Sequence, residues 1–241
     1  STNDVNDLIY IYSHMDGTAD APDAPELIYA QRPVSVQACA RERIPLRHSW
    51  ENIGTCGRAA DLMRSEVRDH VLLAKKAIGY RYLRFHGIFC DDMMVYNRKK
   101  DGSTVYNWIY ADQVLDFLLN NGLRPFLELD FMPSEIASAP NTVFWYRANI
   151  SKPGDLGAWA DMVRALFAHC VDRYGADEVA QWYAEVWNEP DYKDVFWAGD
   201  LKDYLALYEA SVRAVREICP GVRVGGPSIT QIHYDRTPWV R

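Results

Sequence analysis

The 241-residue sequence has no long apolar run, no surplus of basic residues and no closely spaced cysteine pair, and each lack removes a class of function. Near the N-terminus the longest unbroken apolar stretch is Leu8 to Tyr12. That is shorter than the roughly 7–15 residues of a signal-peptide core and far short of the roughly 20 of a membrane span. Lysine and arginine number 26 against 33 aspartate and glutamate, a net charge of −7. Binding phosphates or anionic lipid draws on clustered basic side chains, so no nucleic acid and no membrane is expected as a partner. A cytoplasmic location is the expectation, although a signal peptide already removed would leave no trace.

The five cysteines, Cys39, Cys56, Cys90, Cys170 and Cys219, fit neither a zinc-ligand spacing nor a dense disulfide framework. They read as reduced thiols, mostly buried, and no metal site is expected. No G-x-G-x-x-G motif follows any strand-like run, which argues against a dinucleotide-binding open sheet.

What is present is a repeated unit. Beyond about residue 60, an apolar pattern of helical period leads to a glycine and then to a short strand-like run. Val67, Val71, Ala74 and Ile78 precede Gly79 and the run Tyr80 to Phe89. Val114, Leu115, Leu118 and Leu119 precede Gly122 and Leu123 to Phe131. A longer stripe from Leu156 to Tyr174 precedes Gly175 and Ala180 to Trp187, and a last one from Leu201 to Ile218 leads to Val222 to Gly226. Strands separated by helices pair in parallel, which predicts an α/β fold. The polar residues His86, Asp91, Asp92, Asp130, Asn188, Glu189 and Asp191 fall at or just past the strand ends, where (β/α)8 TIM-type barrels assemble their sites. Leu46 to Ile53 is expected as the first barrel strand. Residues 1–45, with four prolines and no sustained period, read as an N-terminal arm; residues 46–230 as the barrel; and 231–241 as a tail of neither period.

The most informative local segment is Trp182-Tyr-Ala-Glu185-Val-Trp187-Asn188-Glu189-Pro190. On a regular strand Glu185, Trp187 and Glu189 share a face, with Glu189 at the C-terminal mouth. A carboxyl set among Trp182, Trp187, Tyr192 and Trp197 would lose solvation, and desolvation raises its pKa toward that of a general acid. Read alone, such a glutamate more often caps a turn; at a strand end in a repeating βα chain the catalytic reading is favoured.

Several ordered blocks resemble glycoside hydrolase family 39, the family of β-xylosidases and α-L-iduronidases. They are His48-Ser-Trp50-Glu-Asn-Ile-Gly54-Thr-Cys-Gly57-Arg58-Ala59, Arg84-Phe-His86-Gly-Ile-Phe-Cys90-Asp91-Asp92-Met93, and Arg124-Pro-Phe-Leu-Glu128-Leu-Asp130-Phe131-Met-Pro133. They continue in Thr142-Val-Phe-Trp145, the segment ending at Pro190, and Val224-Gly-Gly-Pro227. The wording is closer to bacterial β-xylosidases than to iduronidases. The resemblance implies a retaining hydrolase acting on β-linked xylose in oligosaccharides or aryl xylosides, with Glu189 as acid/base and Asn188 on the sugar 2-hydroxyl. It places His48 and His86, at the ends of the first and second strands, beside the non-reducing sugar. Trp145, Asp130 and Asp91 border the cleft, although Asp91-Asp92 after a strand is as readily a turn and helix cap. No cofactor is implied, since two carboxylates and water suffice.

The family's nucleophile is a glutamate ending the seventh strand, and only about five βα units are countable here. The barrel is therefore expected to be incomplete, with the nucleophile unidentified. Unpaired parallel edges favour self-association or a complementing polypeptide. Two readings follow: a glycosidase completed by segments not counted here, and an inactive fragment or pseudoenzyme that only binds sugar. A third lets Glu128 or Asp130 substitute as nucleophile or as the base of an inverting pathway.

Overall fold

The computed structural model describes residues 45–231 and 237–239. In chain order the elements are β1 (Ile53–Arg58), α1 (Ser65–Ile78), β2 (Tyr82–His86), β3 (Tyr96–Arg98), β4 (Thr104–Tyr106), α2 (Ile109–Asn120) and β5 (Arg124–Leu129). They continue with β6 (Thr142–Val143), β7 (Ala148–Asn149), α3 (Leu156–Tyr174), α4 (Ala176–Val179), β8 (Tyr183–Val186), α5 (Leu201–Ile218) and β9 (Arg223–Gly225). Five strands form one parallel sheet in the order β1-β2-β5-β8-β9. Each crossover carries a helix, so consecutive βα units lie side by side, as in a (β/α)8 barrel. Among the described residues β1 and β9 are the sheet's two edges and do not pair with each other, so the barrel is incomplete. The antiparallel pairs β3–β4 and β6–β7 are insertions after β2 and β5, on the C-terminal side of the sheet.

The helices form where their apolar stripes were legible. Helix α1 ends at Gly79, whose φ of 88° lies in the left-handed region that glycine enters without a Cβ clash, and whose N–H donates to Lys75 O at 2.7 Å. Asp155 caps α3 by accepting from the N–H groups of Gly157 and Ala158. Asp200 and Asp203 close a reciprocal capping box on α5. Between helices and sheet lies a continuous dry layer built from Phe85, Leu127, Leu129, Trp159, Leu166, Phe167, Val186, Trp187 and Leu207, among others. Trp159 is wholly buried there, and its Nε1–H is satisfied by Ser211 Oγ at 2.8 Å.

The expected first strand is displaced. Leu46 to Ile53 is an exposed approach with one 3₁₀ turn at Ser49–Glu51, and β1 begins only at Ile53. Its sequence, Ile-Gly-Thr-Cys-Gly-Arg, has little strand propensity; parallel hydrogen bonding to β2 makes it a strand. The N-terminal arm, apart from Pro45, and most of the 231–241 tail lie outside the described residues.

Candidate active site

Alternation along the strands sorts side chains between two faces. Leu83 and Phe85 of β2, Pro125, Leu127 and Leu129 of β5, and Ala184 and Val186 of β8 face the helices and are buried. Tyr82, Arg84 and His86, then Phe126 and Glu128, then Tyr183 and Glu185 take the other face. Register places Arg84 beside Phe126 and Glu128 beside Glu185.

Arg84 organises that face. Its Nε and Nη2 grip Glu185 at 2.8 and 2.9 Å, its Nη1 lies 2.9 Å from Glu128 Oε1, and its Nη2 also donates to Asn188 Oδ1 at 2.8 Å. Glu128 is fully buried, and its other oxygen lies 2.5 Å from His86 Nδ1. These contacts are ion pairs without well-aligned hydrogen-bond geometry. Asp130, also fully buried, accepts the Gly87 N–H at 2.6 Å and approaches His86 Nδ1 at 3.5 Å.

The charges respond accordingly. Burial pushes the Glu128 carboxyl up, with His86 and Arg84 opposing and Asp130 reinforcing. Burial alone would lower His86, but its contacts to Asp130 and Glu128 outweigh that and raise it to about 10, so the imidazole is cationic at neutral pH. His86, Glu128 and Asp130 place three possible metal-ligand atoms within 4.8 Å. His86 Nδ1 faces both carboxylates, Arg84 pairs with Glu128 and the Gly87 N–H with Asp130, so each of these atoms is engaged within the protein.

Past β8 the alternation breaks. Trp187 and Glu189 have φ of 64° and 46°, uncommon for residues with a Cβ, and Glu189 N–H donates to Ser228 O at 2.8 Å. Trp187 therefore does not share Glu185's face. It is buried against Phe131, Trp159 and Trp197, and its Nε1–H donates to Phe196 O. Trp182 and Trp197 are likewise wholly buried, so these tryptophans belong to the dry layer and do not line a cleft. Glu189 is half-buried at the C-terminal end of the sheet. Its carboxyl is held above the ordinary range by burial first and by Asp191 second, with His86 and Arg84 opposing. Asp191 accepts from Thr230, by N–H at 3.1 Å and by Oγ1 at 2.6 Å. Asn188 is buried, and because Arg84 occupies its Oδ1, its Nδ2 remains the donor.

Among the sequence candidates, the structure gathers His86, Asp130, Asn188 and Glu189 at the ends of β2, β5 and β8. Asp91 serves a loop, accepting from Ser134 N–H at 2.9 Å and Oγ at 2.5 Å. Trp145 projects from the β6–β7 turn, 82% exposed. His48 is placed elsewhere: it precedes β1 at the N-terminal end of the sheet, stacked on Trp50 and bonded to Glu51. The residue that does end β1, in register with His86, is Arg58. Glu128 and Asp130 are too deeply buried and too fully engaged to attack a substrate as the substitute nucleophile. Burial raises the Cys90 thiol, which leaves no thiolate beside His86. Sequence reasoning missed Arg84 and Arg58. The signal for Arg84 was the period-two polar row Tyr82, Arg84, His86 in a strand otherwise apolar.

Comparisons with known proteins agree with this fold. The model of glycosyl hydrolases family 39 matches residues 33–239. Over 176 residues the chain is 40% identical to a β-xylosidase of Caldicellulosiruptor saccharolyticus, covering 73% of this chain and 36% of that protein. Over 199 residues it is 37% identical to a β-xylosidase of Geobacillus stearothermophilus, covering 81% and 39%. The crystal structure of the GH39 enzyme from Xanthomonas axonopodis pv. citri superposes with a TM-score of 0.73 at 39% identity, covering 77% of this chain and 36% of that one. The chain thus spans a little over a third of the length of the relatives it matches. With a matching family model, two relatives near 40% identity and a shared arrangement of βα units, this chain belongs to glycosyl hydrolase family 39.

Proposed function

We propose that the protein is a retaining glycoside hydrolase that releases β-linked xylose, with Glu189 as its acid/base. The observation that carries this reading is the half-buried Glu189, its carboxyl held above the ordinary range beside an Asn188 amide oriented by Arg84. A carboxyl so placed is protonated often enough to give its proton to the glycosidic oxygen as the bond to C1 breaks, and then to take one from water. Asn188 Nδ2 donates to the sugar 2-hydroxyl, and His86, whose Nδ1 faces Glu128 and Asp130, presents Nε2–H to another hydroxyl. The attacking carboxylate is, by family resemblance, a glutamate of the seventh strand, outside the five strands described. Closure of the sheet at β1 and β9, by more of the same polypeptide or by a second chain, belongs to the same reading. The xylose preference rests on the β-xylosidase relatives.

The test is hydrolysis of an aryl β-xyloside by the protein together with the segments that close the sheet and supply the seventh-strand glutamate, with and without Glu189→Gln. A fall of about 10²–10⁴-fold is expected. Undiminished hydrolysis in the variant overturns the assignment of Glu189. Xylose binding with no turnover by the completed protein replaces the reading with that of a sugar-binding protein.

A further inference from the structure

At the tip of the β6–β7 hairpin, Trp145 is the most exposed large apolar side chain among the described residues, at 82%. Its turn is nevertheless held in shape. Arg147 N–H donates to Phe144 O at 3.1 Å, and both Phe144 and Arg147 adopt left-handed φ, 61° and 55°. A turn formed by two residues with a Cβ in that region needs support from its surroundings. Arg58 supplies it: its guanidinium lies 3.9 Å from the Tyr146 ring centre and 5.1 Å from that of Trp145, and is anchored by Asp92 at 2.5 Å. The indole is thus backed by a buried cation and left open to solvent.

Its position relates it to the active site in two ways. Arg58 ends β1 directly opposite His86 in the parallel register, and adjacent strands lie only about 4.8 Å apart. The rings also form an unbroken arc from the site to the rim. His86 stacks on Phe196 at 6.1 Å, Phe196 meets Phe144 at 5.5 Å, Phe144 meets Tyr146 at 5.3 Å, and Tyr146 meets Trp145 at 5.4 Å.

We propose that Trp145, backed by Arg58, is a stacking platform for a second sugar ring, the xylosyl unit next to the one held by Asn188 and Glu189. Pyranose rings present apolar C–H faces, and an open indole resting on Arg58, the residue that ends the strand beside His86, is a complementary surface at the rim of the site. The platform makes the site selective for xylo-oligosaccharides over free xylose. This inference rests on the glycosidase reading.

Calorimetric titrations with xylose and xylobiose test it, in the Glu189→Gln background so that xylobiose survives. Trp145→Ala should weaken xylobiose binding about tenfold and leave xylose binding within about twofold; Trp145→Phe should fall between. Because Trp145 is exposed, neither change removes a core contact. Unchanged xylobiose affinity in Trp145→Ala, or equal weakening of both sugars, overturns the platform alone. Failure of the native protein to bind either sugar, together with no hydrolysis by the completed protein, overturns the glycosidase reading and the platform with it.

Discussion

The two faces of the parallel sheet are built from the same strands by opposite means. The face toward the helices is dry and nearly wordless chemically: Phe85, Leu127, Leu129 and Val186 are buried among helical side chains, and the few polar atoms there, such as Trp159 Nε1, have found partners. The other face is a ladder of charge in which Arg84 holds Glu128, Glu185 and Asn188 at once, and His86 spans Glu128 and Asp130. Apolar burial is non-directional and tolerates imprecision, whereas the charged face depends on every partner being present. Stability of the one and orientation at the other are therefore separable by mutation.

The largest expected effects set the faces side by side. Phe85→Ala opens a cavity in the dry layer and should cost about 3–5 kcal/mol at any pH where the protein is folded. Arg84→Ala takes the bidentate partner from the buried Glu185 and leaves the buried Glu128 with His86 alone, and should cost about 3–5 kcal/mol near neutral pH. Their pH dependence distinguishes them. In acid, Glu128 takes a proton readily because its carboxyl is already held above the ordinary range, and the Arg84→Ala deficit should shrink. Urea unfolding of both variants at pH 5 and pH 8 checks this; deficits that track each other would refute the division between faces.

The same division governs what the sequence disclosed. The dry face was legible because it repeats locally: the stripe Val114, Leu115, Leu118 needs no knowledge of its partner to be recognised as helical and buried. The charged face was legible only as isolated polar residues at strand ends, since Arg84 and Glu185 meet across 101 residues of chain. His48 was misplaced because β1 owes its existence to pairing with β2, so its start could not be read from Ile-Gly-Thr-Cys-Gly-Arg itself. Glu189 was correctly brought to the mouth, but by a broken strand with two left-handed residues, which alternation does not foresee.

A second pH-dependent effect sharpens the charged side. His86 and Glu128 are both raised on folding, so the folded chain holds more protons than the unfolded chain between each group's ordinary and raised values. The stability they contribute is complete below the unfolded values and declines as pH rises through the folded ones. For His86 the window runs from 6.5 to about 10. One proton corresponds to at most about 1.4 kcal/mol per pH unit. The urea midpoint should fall across that window, and His86→Gln should flatten the fall; a parallel decline in the variant would assign it to other groups.

The smallest effect belongs to the supports of the dry face. Asp155 accepts from two N–H groups at the start of α3, Gly157 at 2.8 Å and Ala158 at 3.3 Å, and does so at the surface. Its removal leaves those donors to water, so Asp155→Ala should cost about 1 kcal/mol and Asp155→Asn much less, because an amide oxygen still accepts. Neither change touches the ladder around Arg84. Both variants should therefore keep the native pH profile of unfolding, displaced by a constant amount. A changed profile in Asp155→Ala would mean that the helix layer and the charged face are coupled through the strands after all, and that the sheet transmits more than its alternating side chains imply.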